Sequence, residues 1–92
     1  MSNQVAQSGA PIILSSSGTI SKASGNLIGF YVSSTTSGTI VILSGADGAS
    51  SGTAISGTIT PGTGFHAFPA YCPAGAYATL ANTISVTFFF AA

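Results

Sequence analysis

Short runs of β-forming residues alternate with small polar clusters along the whole chain. Gly, Ser, Asn and Pro gather at residues 15–18, 24–26, 33–38, 45–52, 61–64, 73–75 and 81–82. The segments between them are short and rich in Ile, Val, Thr, Phe and Tyr. Turn signals at that spacing predict a sandwich or barrel of short strands. No stretch carries an uncut 3.6-residue apolar period, so helices are not expected.

The strands differ in strength. Residues 11–14 and 18–22 read as weak strands. In 27–33, Ile28, Phe30 and Val32 fall on one face and Leu27, Gly29 and Tyr31 on the other. Residues 39–44 are apolar on both faces, as in a central strand. Residues 53–60 alternate, with Ile55, Gly57 and Ile59 opposite Ser56, Thr58 and Thr60. Residues 65–69 and 76–80 are shorter. The last strand, 83–90, alternates best: Ile84, Val86, Phe88 and Phe90 share one face, and Thr83, Ser85 and Thr87 share the other. Phe89 breaks that pattern by standing on the Ser/Thr face. Either this strand lies centrally with both ends covered, or Phe89 meets another subunit, or it is a single tolerated surface Phe. On the second reading Ile84, Val86, Phe88, Phe89 and Phe90 form a subunit interface.

The expected fold is therefore all-β: one small antiparallel sandwich or barrel, jelly-roll-like, of about seven or eight short strands. Residues 11–92 make up this domain. Residues 1–10 are small and polar apart from an isolated Val5 and read as an extended N-terminal arm. The tetrapeptide Ser-Gly-Thr-Ile occurs at 17–20, 37–40 and 56–59. Its flanks do not repeat, so it reads as shared turn chemistry that starts a strand, not as a solenoid repeat.

Charge alters the picture most. Lys22 is the only base, Asp47 the only acid and His66 the only histidine, so charged residues make up 2% of the chain. Ordinary soluble domains carry about 25%. A surface so nearly neutral does little to hold copies apart, which points to a protein made to associate. One lysine cannot neutralise the phosphates of a nucleic acid or grip an anionic membrane surface. No apolar run reaches the ~18 residues of a membrane-spanning helix. The first ten residues lack the basic and apolar regions of a signal peptide, so synthesis in a cytosol is expected.

Catalytic chemistry has little to work with. A carboxylate pair is impossible with one Asp and no Glu. Asp47, His66 and a serine could form a triad only by chance, and no Gly-x-Ser-x-Gly elbow supports one. Cys72 reads as a small buried hydrophobe. No cofactor or metal is expected, and the chain reads as non-enzymatic. The one dense aromatic stretch holds Phe65, His66, Phe68 and Tyr71, with Pro69 and Pro73 stiffening it. It reads as a contact loop for a subunit or ligand, or as a cap on the core.

The run from 37 to 90 reads SGTIVILSGADGASSGTAISGTITPGTGFHAFPAYCPAGAYATLANTISVTFFF. It resembles the small β-structured virion proteins of tailed bacteriophages, of the capsid-decoration or cement kind. The resemblance implies a homotrimer on the capsid surface, made in the host cytoplasm and bound to the major capsid protein. It also implies a docking role for the arm, with Val5 and Ile12 as apolar contacts. It designates no catalytic residue. A tail or head-fibre module touching the host surface is the alternative. A Thr-rich ice- or carbohydrate-binding protein is a more distant one, since no regular Thr ladder is present.

Overall fold

A computed structural model describes residues 10–91. It contains six strands: β1 (Ala10–Leu14), β2 (Gly18–Ser21), β3 (Gly25–Ser44), β4 (Thr53–Ala54), β5 (Gly64–Cys72) and β6 (Ala76–Ala91). A 3-10 turn at Ala46–Gly48 follows β3. All pairings between these strands are antiparallel and belong to a single sheet. β6 and β3 form its centre. β1 and β2 share the free edge of β6, while β5 and β4 share the free edge of β3. Of the expected arm, residues 1–9, including Val5, lie outside the described residues. Ala10 opens β1, and Ile12 sits within that strand opposite Phe88, half-buried against the core.

Among the described residues the strands number six and not seven or eight, because two pairs of expected strands are continuous. Segments 27–33 and 39–44 are both β3, and 76–80 and 83–90 are both β6. The polar clusters at 33–38 and 81–82 do not reverse the chain. The ladder runs through them, pairing Ser34 with Ser85, Thr35 with Ile84 and Thr36 with Thr83. Straight, the 20 residues of β3 would span about 66 Å. The longest dimension of the molecule is 40 Å. The β3–β6 ribbon is therefore bent, and its two halves enclose one core. Leu27, Phe30, Val32, Ile40 and Ile42 come from β3, and Ala76, Ala78, Ile84, Val86, Phe88 and Phe90 from β6.

Bulges make the bend. Against β6, β3 carries one extra residue at Ile28, another at Ser33 and a third within Ser37–Gly38, which lie opposite Asn82 alone. Each bulge bends its strand and tightens the right-handed twist. At the last, Ser37 (φ 55°) and Asn82 (φ 62°) both take left-handed backbone, and the Asn82 side-chain amide donates to the Ser37 carbonyl at 2.7 Å. Asn tolerates that conformation better than most residues.

The bulges also change which residues face inward. Strict alternation puts Ile28 with Phe30 and Val32. The bulge at Ile28 instead leaves it half-buried and turns Leu27 inward, where it is fully buried beside Phe30 and Val32. β6 carries no insertion, and its even-numbered apolar residues stay inward from Ala76 to Phe90. The three Ser-Gly-Thr-Ile copies each direct their isoleucine at the core, Ile20 and Ile40 being buried and Ile59 packed against it, but the copy at 37–40 lies in a bulge within β3 and not at a turn. Segment 53–60 is less regular than expected. Thr53–Ala54 pairs with β3, the Ile55 amide donates to the Ile42 carbonyl at 2.8 Å, and a lone bridge joins Ile59 to Ile40. Between them the Ser56 hydroxyl accepts from the Ile42 amide at 2.9 Å, in place of a backbone carbonyl.

Truncation can check the shifted alternation. Leu27→Ala removes a fully buried side chain and is expected to cost about 2–5 kcal/mol. Ile28→Ala is expected to cost less than half as much. Denaturant unfolding of both variants reads the difference, and equal costs would contradict the bulge.

Candidate functional site

With β6 central, the side of the sheet turned away from the core carries side chains from four adjacent strands. One row runs straight across: Ile13 on β1 stands opposite Thr87 on β6, Thr87 opposite Tyr31 on β3, and Tyr31 opposite Phe65 on β5. The next row holds Pro11, Phe89, Gly29 and Ala67 in the same strand order. Farther along, Ala91, Asn26 and Tyr71 line up. Ile13 is 73% exposed, Tyr31 47%, Phe65 56% and Tyr71 64%. These are the large apolar side chains most open to solvent among the described residues.

Gly29 and Phe65 shape the middle of this face. A Cβ on Gly29 would lie 2.9 Å from Cζ of Phe65 and 2.6 Å from the His66 carbonyl oxygen. Only a residue without a side chain leaves room for the Phe65 ring to lean across β3. There it reaches Phe89, with ring centroids 6.1 Å apart and planes tilted by 54°, inside the range of favourable aromatic pairs. Phe89 is therefore half-buried on the outer face of a central strand, between Pro11 and Gly29. The other four residues of the expected subunit interface are elsewhere. Ile84, Val86, Phe88 and Phe90 are buried in the chain's own core, where no second subunit can reach them without unfolding.

The expected aromatic loop is not a loop. Phe65, His66, Phe68 and Tyr71 all lie in β5, and strand alternation separates them. Phe65 and Tyr71 point outward. His66 and Phe68 point inward, with ring centroids 5.3 Å and 6.5 Å from that of Phe30. Pro69 fits because β5 is an edge strand and because Phe68 and Pro69 bulge opposite the single Ile28. Sequence reasoning missed Ile13 and Tyr31 as members of the face. Their only signal is register, since both stand beside Thr87.

The groups capable of chemistry are dispersed. Nε2 of His66 donates to the Gly62 carbonyl at 2.8 Å, while Asp47 is exposed in the 3-10 turn. Among the described residues no cluster of His, Cys, Asp or Glu could hold a metal ion. Cys72 is a fully buried free thiol. Burial pushes its pKa above the usual thiol value, and a backbone hydrogen bond from Leu27 opposes this to a smaller extent. No family model, curated protein or solved structure matches the chain.

Cys72 gives a pH prediction. Its raised pKa means the folded chain holds this proton more tightly than the unfolded chain does. The resulting stabilisation is complete below the unfolded thiol pKa of about 8.5 and is lost as pH rises through the folded value. Unfolding measurements across pH 7–10 are expected to show that decline, and Cys72→Ala to remove its thiol component. Alkylation of the native thiol at pH 8 is expected to be far slower than in denaturant.

Proposed function

We propose that this chain is a non-enzymatic structural subunit that works as a homo-oligomer on the surface of a virion, as a capsid-decoration protein. The observation that carries this reading is the outer face. Three aromatics and an isoleucine stand open to solvent on a protein with one lysine and one acid. Monomeric proteins rarely leave a contiguous apolar patch beyond a few hundred Å² uncovered, and charge is what ordinarily keeps such surfaces apart. Resemblance of residues 37–90 to phage cement proteins supplies the setting. On this reading the bent sheet serves as a compact jelly-roll-like sandwich, and residues 1–10 reach the major capsid protein.

Contact with a host surface is the second reading, favoured by the outward Phe65 and Tyr71. Particles carrying Phe65→Ser and Tyr71→Ser separate the two. Decoration predicts that adsorption to cells stays normal while the particles lose resistance to heat and low salt. Host contact predicts the reverse.

Co-sedimentation of the purified chain with empty capsids of its parent phage tests the proposal directly. Saturable binding is the expected result. A chain that stays in the supernatant at every concentration would overturn capsid decoration.

A further inference from the structure

We propose that the outer face of β1, β6, β3 and β5 receives a second copy of this chain, face to face, in a two-fold dimer. This rests on the structural-subunit reading above and deepens it by naming the surface and its occupant.

The sheet edges are poor routes to association. Each long edge strand carries a proline, Pro11 in β1 and Pro69 in β5. Each proline removes a backbone donor, and Pro69 also sits in a bulge. Prolines and bulges are how natural sheets keep their edges from pairing. The remaining edge strands, β2 and β4, are four and two residues long.

The outer face has no such protection. No Asp, Glu, Lys or Arg lies in β1, β3, β5 or β6. Lys22 follows β2, and Asp47 lies in the 3-10 turn. A partner chosen by charge would find nothing here to pair with. A second copy brings an equally neutral face, and neither buries an ion.

The size fits a weak, reversible dimer. Side chains of Phe and Tyr present about 150–250 Å² each, so Tyr31, Phe65 and Tyr71 at their observed exposures leave about 250–400 Å² of aromatic surface open. β5 has nine residues and β1 only five, so four strands about 4.8 Å apart give a plan of at most about 19 by 30 Å. At about 570 Å² or less, it lies just under the roughly 600–1,000 Å² a standard interface takes from each partner, in the range of weak, reversible complexes. Sheets stacked face to face sit about 10 Å apart, a gap filled by side chains from both. Such docking is pairwise and self-complementary, so the unit is a dimer and not the trimer that the phage resemblance implies.

Analytical ultracentrifugation of the full chain, the Tyr31→Asp/Phe65→Asp double variant and a Thr58→Asp control tests this. Circular dichroism melts of all three report folding. The wild type and the control are expected to be dimers at about 50 µM, with the dissociation constant raised about 100-fold or more in the double variant. The wild-type constant is also expected to hold or tighten between about 0.05 and 1 M NaCl, because no ion pair crosses the interface. The salt series depends on no variant folding. A folded double variant that dimerises like the wild type overturns the proposal, as does a wild-type dimer that weakens steeply with salt. A monomeric wild type that binds capsids overturns the second copy as occupant and leaves capsid decoration standing. A monomeric wild type that binds no capsids overturns both.

Discussion

Two strands paired along nearly their whole length cannot lie straight inside a molecule 40 Å long. The ladder between β3 and β6 meets that constraint by bending, and the remaining elements are arranged around the bend. Within this ladder the insertions fall on β3 alone, at Ile28, Ser33 and Ser37–Gly38. β6 carries no insertion, and on either side of the corner at Asn82 its residues Ala76, Ala78, Ile84, Val86, Phe88 and Phe90 all face inward. A ribbon with one bulged strand and one regular strand curls on itself, and its two halves can then share one apolar core.

The edge strands break where the ribbon turns. β1 ends opposite Val86 and β2 begins opposite Ala78. On the other edge β5 reaches only to Val32, and pairing resumes at Ile40. Serine hydroxyls take over part of the missing ladder. Ser17 Oγ accepts from the Leu80 amide at 2.9 Å, and Ser56 Oγ accepts from the Ile42 amide at 2.9 Å. Both serines open copies of the Ser-Gly-Thr-Ile tetrapeptide. In those two copies the hydroxyl satisfies a backbone group, and in all three the isoleucine is directed at the core. Backbone groups left unpaired beside a core are costly, which gives short hydroxyl side chains their value there.

The same bulge that turns Leu27 inward produces the outer face. It keeps Gly29 and Tyr31 in step with Phe89 and Thr87 of β6, and Gly29 leaves space for Phe65 to lean across to Phe89. Core formation and the exposed aromatic surface are thus two results of one register. This is why Phe89, out of step in the sequence, has neighbours in the fold: it lies on a central strand with a ring against it. Pro11 and Pro69 stand in the two long edge strands, and no Asp, Glu, Lys or Arg lies in the four strands that carry the face.

Several features were legible in the residues alone. The all-β class followed from short β-rich runs cut by Gly, Ser and Pro. That Ile84, Val86, Phe88 and Phe90 share one face followed from a period of two in a strand without insertions; that this face is the chain's own core and not a subunit interface did not. Near-absence of charge followed from counting. Each is a local or additive property, so the sequence determined it. The tertiary structure decided the rest: that 33–38 and 81–82 are corners and not turns, that Leu27 points inward ahead of Ile28, that the aromatics of β5 divide between two faces, and that Ile13, Tyr31 and Phe65 align beside Thr87. These depend on which residue pairs with which across dozens of intervening positions. A one-residue bulge reverses the facing of everything beyond it, and no local pattern records where that residue will be.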